Sequence, residues 1–471
     1  MSVSDTVNGR MRSMSISNKI APLKIDFLIV GAGLAGLACA YTLGQSGHRV
    51  RVLETSSSLH QRAGGIRVPP NLAKLLLQWG LGEELAKARP CRKTAFHSLE
   101  TGEYLGFLEW QEDIIRESGG DFLLMAHDDV QAMLYDLAVS VGAKVIFNTP
   151  IVSVAIDDIR ERPYITTVDG IIMDADVVLG ADGSNSIIRD YVNGGEDNAE
   201  DIGQSFYTIT IPSETLRGDP DLAKWADLPQ WPVWMGHARS REGREFCVHL
   251  YWPDSEVQLE SPEGWDVVVP TSCIDLSNYD PVIQRLFTLA PDALRTKHMT
   301  RDIAEDWVDE TGRIAIIGEA AHPLLPCSTH GASLAVEDAA VMGVLMSRLR
   351  TWEQIPQFME GFQDVRQARC THVRLSELHN AALVTLPPGE DRAMRDAAMR
   401  LSLHADADWD DTRLRAQWEE IGEVFGYNAL EAAEDWWIKW GSIGDSAKVI
   451  SFHEPMSWAH AVTKVDVQVS H

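Results

Sequence analysis

Gly31, Gly33 and Gly36 stand at the spacing Gly-x-Gly-x-x-Gly directly after the apolar run Phe27-Leu28-Ile29-Val30, and Glu54 closes a second apolar run, Arg49 to Leu53. This pattern suits a dinucleotide. Gly31 permits a tight turn, Gly33 lets the backbone approach a pyrophosphate, and Gly36 lets a helix pack against the first strand. Leu34 and Ala35 open that helix, and its N-terminus is where the phosphates sit. Glu54, at the end of the second strand, is placed to accept hydrogen bonds from a ribose. A glycine turn alone also serves plain packing, but here strand, turn, helix, strand and acid follow one another within about 30 residues.

Two later segments bear on which dinucleotide this is. Asp176-Val177-Val178-Leu179-Gly180-Ala181-Asp182-Gly183-Ser184-Asn185-Ser186 leads to Arg189, and Arg313-Ile314-Ala315-Ile316-Ile317-Gly318-Glu319-Ala320-Ala321 follows much later. Both read as buried strands that stop at a polar, glycine-containing turn. In an open parallel sheet the ligand lies at such carboxyl ends, so three distant segments converge on one cofactor. In this order and spacing they resemble the single-component FAD-dependent monooxygenases, the aromatic hydroxylase group that includes p-hydroxybenzoate and salicylate hydroxylases. The resemblance runs from about Asp26 to Trp437.

The resemblance implies an α/β fold: a Rossmann-like FAD-binding domain with an inserted, mostly antiparallel β-sheet substrate domain and C-terminal helices. It also assigns cofactor contacts. Arg62, beside Ala63-Gly64-Gly65, corresponds to a cation that reaches the FAD pyrophosphate, with Gly65 in the adjoining turn. Asp182 and Gly183 contact FAD and help to accommodate a nicotinamide cofactor. Pro326-Cys327-Ser328-Thr329-His330-Gly331-Ala332 matches a Pro-x-x-x-x-Gly segment that lies against the flavin ring. Gly331 opens a long helix there, and a helix N-terminus suits a reduced flavin that is anionic at its pyrimidine edge. Two positions depart from the family pattern. His127 stands where an arginine clamps the flavin side chain, and Glu319 follows Gly318 where aspartate is usual.

There is no second Gly-x-Gly-x-x-Gly, so NADH or NADPH is expected to visit the flavin, reduce it and leave. The family chemistry then runs through a flavin hydroperoxide that delivers oxygen from O2 to an electron-rich carbon, with hydroxylation, decarboxylation or epoxidation as outcomes. For a phenolic ring, a base that removes the hydroxyl proton raises the nucleophilicity of the ring. Alternation puts Tyr207, Ile209 and Ile211 on one face of a strand, and His249 with Tyr251 on one face of another. Trp234, His237 and Arg239 share a parity between them. His237 leads the catalytic candidates, followed by Tyr207 and His249, with His330 as a further group facing flavin or substrate. For His237, Tyr207 and His249, a packed or solvent-facing residue on a sheet is at least as good a reading.

Strands alternating with helices up to about residue 190 give the parallel sheet that must position these groups. Aromatic-rich strands follow from Gln204 to Trp252. The expected organisation is an N-terminal tail (1–24), a first FAD-binding part (25–194), a substrate domain (195–300), a second FAD-binding part (301–355), a helical region (356–440) and a tail (441–471). The net charge of −28 argues against nucleic acid or an anionic membrane as partner. Six scattered cysteines without a Cys-x-x-Cys pair suggest reduced, buried thiols and no metal site. Residues 1–24 lack an apolar core segment, so a cytoplasmic protein is expected, as a monomer or homodimer. An alternative is motivated by His127 and Glu319: the fold kept, with flavin redox chemistry weakened or lost, in a non-redox cyclase or binding protein.

Overall fold

The computed structural model describes residues 19–59, 64–110, 115, 117–195, 199–226, 231–234, 238–240, 245–254, 266–326, 328–403 and 421–441. Its first unit is the strand β1 (Asp26–Val30), the helix α1 (Leu34–Gln45) and the strand β2 (Arg49–Leu53). β3 (Gly65–Val68) pairs antiparallel with β4 (Leu123–Ala126), Gly65 opposite Ala126, and the helix α2 (His127–Ser140) starts at the very end of β4. β5 (Lys144–Ile146) and β6 (Val177–Gly180) follow. Then come the long strands β7 (Glu200–Pro212), β8 (Glu245–Pro253) and β9 (Asp292–Thr300). β10 (Ile314–Ile316) leads to the helices α3 (Gly331–Met346), α4 (Gln354–Val384) and α5 (Ala429–Trp436).

The first sheet is wholly parallel, in the order β10-β6-β1-β2-β5. Its central strands are apolar on both faces: Phe27, Leu28, Ile29 and Val177, Val178, Leu179 are all buried, as a sheet covered by helices on both sides requires. The carboxyl ends of β1, β6 and β10 lie side by side. α3 is buried from Ser333 to Met346, and it crosses α1 closely because Gly343 faces Thr42, where an added Cβ would lie 2.6 Å from the Thr42 Cβ. Thr42 Oγ1 donates to Ala339 O at 2.8 Å across that crossing.

The second sheet lies in the sequence between β6 and β10. β7 pairs antiparallel with β8 and β9, with Ala238–Ser240 and Asp266–Pro270 at the two edges. The strand expected to run from Trp234 through Arg239 is in fact two. Trp231–Trp234 pairs parallel with Lys93–His97 in another sheet, whereas Ala238–Ser240 pairs with β8. Parity therefore does not carry from Trp234 to Arg239, and the pairing with Lys93–His97 joins segments on either side of residue 195. Among the described residues, no helix is long and apolar enough to cross a membrane.

Candidate active site

Gly31 has φ of +102°, a conformation that side chains rarely adopt, and a Cβ there would lie 2.3 Å from Ala181 O. The turn thus needs glycine to run against the end of β6. At Gly36 a Cβ would lie 2.0 Å from Gly31 O, so the helix can sit on the turn only without a side chain. Gly33 differs. It is the N-cap of α1, in ordinary extended conformation, and a Cβ there would meet nothing within 4 Å. No side chain caps α1 and no acidic residue occupies its first turn, so the first turn, which begins at Leu34 and Ala35, is left uncapped beside the space that Gly33 keeps clear. Such a cradle fits a pyrophosphate.

Glu54 spans the turn: Oε2 accepts from Ala32 N at 2.9 Å and Oε1 from Ser56 N at 2.8 Å. Each oxygen keeps a lone pair for a ribose hydroxyl. Gln131, absent from the sequence expectations, donates from Nε2 to Ala32 O at 2.9 Å and is buried. It lies one helical turn beyond His127 on α2, and that i, i+4 spacing was the available signal.

Asp182 and Gly183 sit where β6 ends. The Asp182 carboxylate accepts from Ser186 Oγ and, at 3.3 Å, from Ile188 N; burial pushes its pKa up. Gly183 has φ of +76°, and Ser184 Oγ donates to Glu319 Oε2 at 3.4 Å. The longer side chain of glutamate thus reaches from Gly318–Glu319 to the Asp182–Gly183 turn, and Glu319 is itself exposed. Arg189 ties the two turns, donating to Ala320 O at 2.9 Å and to Asp302 O at 2.8 Å.

A buried charge network underlies Gly318. Asp338 on α3 accepts from Gly318 N at 2.9 Å, from His322 Nε2 at 2.6 Å and from Arg366 Nε at 2.8 Å. Arg366 also pairs with Glu337 at 2.8 Å, which takes Asn71 Nδ2 at 2.6 Å. Burial alone would lower the pKa of His322, but the Asp338 carboxylate outweighs it and raises the imidazole to about 10. With its oxygens engaged in this way, Asp338 acts as a positioning group for the Gly318 turn.

The other end of the cleft is set by α3 and the second sheet. Gly331 and Ala332 are half-exposed while the helix behind them is buried. Gly331 N donates to Ser328 Oγ at 3.0 Å. Tyr251 donates its hydroxyl to Pro326 O, which fixes the sheet against this segment. The face presented there carries Phe206, Thr208, His249, Tyr251 and His298. Phe206 packs 5.0 Å from both His249 and Tyr251, and His298 lies 5.5 Å from Tyr251, between ring centroids. His298, which the sequence expectations omitted, has a buried Nδ1 with no partner among the described residues, and burial lowers its pKa. Gly64, with φ of +120°, lets the chain before β3 approach this face, its absent Cβ 3.3 Å from His249 Nε2. His127 N in turn donates to Gly64 O at 3.1 Å, bringing the start of α2 to the same turn.

Tyr207 is not brought to this face. It pairs with Leu250 on β8, and together with Ile209, Ile211, Phe246 and Val248 it fills the second sheet's own core on the opposite side. Alternation predicted its neighbours correctly but not which side meets the cleft. His249 does share the cleft face, and His330 lies at the N-cap of α3. Arg62, His237 and Cys327 lie outside the described residues. The five described cysteines, Cys39, Cys91, Cys247, Cys273 and Cys370, are free and buried.

A family model described as an FAD binding domain matches residues 24–373. The FAD-dependent monooxygenase OpS4 of Beauveria bassiana is 27% identical over 441 residues, covering 87% of this chain and 96% of that protein. The 6-hydroxynicotinate 3-monooxygenase of Bordetella bronchiseptica is 24% identical, covering 76% and 91%. Among solved structures, a salicylate hydroxylase substrate complex superposes with a TM-score of 0.67 at 20% identity, covering 87% of this chain and 97% of that one.

Proposed function

The chain belongs to the FAD binding domain family as an FAD-dependent monooxygenase, and from that premise we propose that it uses NADH or NADPH and O2 to hydroxylate an aromatic or other electron-rich small molecule. The observation that carries this reading is the bond from Tyr251 to Pro326 O, which sets the aromatic face of the second sheet opposite the open N-terminal turn of α3. With FAD bound, the chemistry supplied is two-electron reduction by the nicotinamide, activation of O2 and transfer of one oxygen to carbon.

The chain's own residues have three tasks in this reading. Gly31, Gly33, Leu34, Ala35, Gly36 and Glu54 hold the adenosine and pyrophosphate end, with Arg62 as an additional cation. Asp182, Gly183, Gly318 and Glu319 hold the middle of the cofactor, and His127 flanks it from α2. Pro326, Gly331 and Ala332 meet the pyrimidine edge, where the positive end of the α3 dipole favours negative charge. Because Ser328 Oγ takes the Gly331 N–H, the amides open to the ring begin at Ala332.

The substrate then lies between α3 and the face of Phe206, His249, Tyr251 and His298, which excludes water from one side. Oxygen transfer to an aromatic carbon is easier when a ring hydroxyl is deprotonated. Among the catalytic candidates, His249 belongs to this sheet face and His330 is the N-cap of α3, whereas Tyr207 faces the sheet's own core. The test is oxygen uptake coupled to NADH or NADPH oxidation across a panel of hydroxylated aromatic acids, salicylate and 6-hydroxynicotinate included. Stimulation of both rates by a panel member supports the reading; conversion of a substrate by colourless protein without a nicotinamide overturns it.

A further inference from the structure

α4 and α5 touch closely at one point and flank an open cavity beyond it. At Gly361 an added Cβ would lie 2.2 Å from the ring of Trp436, so only glycine admits that contact. The cavity has a volume of about 490 Å³ and is lined by Val365, Arg369, Ala432, Trp436, Lys439 and Trp440, a size that suits a small organic ligand. Lys439 and Trp440 come from a π-helical turn, Trp437–Gly441, that continues α5. Such turns are rare and gather at functional sites. Trp440, a residue type usually well covered, stays 60% exposed there.

Arg369 is the polar group set into this cavity. It is 8% exposed, and its two Nη groups donate to Glu423 O at 3.4 Å and to Val424 O at 2.6 Å. Its guanidinium lies 4.3 Å from the ring of Tyr427, which also lines the cavity. The buried Nε–H has no acceptor among the described residues, and a donor left unmet in this way is costly. The charge behind it is positive. Arg369 approaches Glu337 at 3.5 Å, and Glu337 and Asp338 also face Arg366 and the protonated His322, so in this bonded network two carboxylates meet three cations. Glu423 and Asp435 line the cavity too, but both are exposed, as is Lys439, and water screens them. We propose that this cavity is a second ligand site that takes a planar aromatic molecule bearing one carboxylate. The carboxylate meets Arg369 Nε–H and offsets the surplus cation, while the ring lies against Trp436 and Trp440. The site needs no turnover and stands apart from the hydroxylase reading.

Calorimetric titration of the FAD holoprotein with 2-naphthoate, followed in parallel by flavin absorbance, separates this site from the flavin cleft, where a ligand would shift the flavin spectrum. The expected result is a saturable binding event that leaves the spectrum unchanged. It should weaken about tenfold in Trp440→Ala, which removes a stacking ring. A similar loss is expected in Arg369→Lys, which keeps a charge for Glu337 but has no Nε–H. 2-Naphthamide, of the same shape without the charge, should bind about tenfold more weakly than 2-naphthoate. Trp440→Ala, at an exposed position, keeps the test intact should Arg369→Lys fail to fold. Binding that always shifts the flavin spectrum, no binding at millimolar 2-naphthoate, or an affinity unmoved by Trp440→Ala or by loss of the ligand's charge overturns the proposal.

Discussion

Substituting Gly33 by valine separates folding from cofactor binding, because Gly33 and Gly31 do different work in the same turn. Gly33 sits at φ −73° and ψ −175°, open to any residue, and a Cβ there touches nothing. The apoprotein should therefore lose only about 1 kcal/mol, the difference between glycine and valine at an N-cap. The isopropyl group instead fills the space over the first turn of α1. Two charge-assisted bonds to the pyrophosphate at about 1.5–3 kcal/mol each give a loss of about 3–6 kcal/mol, or about 10²–10⁴-fold in Kd for FAD. Gly31→Val is the contrasting variant. Its φ of +102° and the 2.3 Å approach to Ala181 O call for about 1–2 kcal/mol of backbone strain plus about 1–3 kcal/mol of overpacking. Urea unfolding of the apoproteins and fluorescence titration with FAD read the two quantities. Gly33→Val binding FAD within about threefold of wild type, well under 1.4 kcal/mol, would refute the pyrophosphate placement; so would apoprotein destabilisation equal to that of Gly31→Val.

Asp338→Asn should destabilise the fold by about 3–5 kcal/mol, because it removes the partner of buried Arg366 and His322; a urea midpoint unchanged from wild type would contradict the network. The His322 pKa, raised to about 10, sets a sign for pH dependence. The folded state holds a proton that the unfolded chain releases near pH 6.5, so this stabilisation is complete below about 6.5 and is lost as pH rises through about 10. Unfolding measured at several pH values should show wild type losing stability across that window faster than His322→Gln, by up to about 1.4 kcal/mol per pH unit. Tyr251→Phe removes the bond to Pro326 O and should cost about 1 kcal/mol of stability, with a raised KM for substrate and unchanged FAD content by absorbance.

The parts of the site legible from sequence are those whose geometry is local. Gly31 to Gly36 form one turn, and Glu54 reaches back to Ala32 across a neighbouring strand of the same βαβ unit. Asp182–Gly183 and Gly318–Glu319 were readable for a related reason: each ends an apolar strand, and the parallel order brings the strand ends together. Choosing the cleft face of the second sheet needed more than parity. The side with Tyr207, Ile209, Ile211, Val248 and Leu250 is almost wholly apolar and builds a core, whereas the mixed side with Phe206, Thr208, His249 and Tyr251 meets the cofactor domain. That contrast is present in the residues themselves and marks the side opposite Tyr207 as the one that meets the cleft. Glu377 and His298 had no such signal. Glu377 reaches His330 from a different helix, 47 residues later, and His298 joins Tyr251 only through strand pairing across β7.

A monooxygenase of this family would place one atom of O2 in its small organic product with FAD bound. The decisive measurement is mass spectrometry of the product formed by the yellow holoprotein with NADH or NADPH under 18O2. One 18O atom in the product, with none from labelled water, is the expected result. A colourless preparation whose product carries no label from O2 would contradict the account.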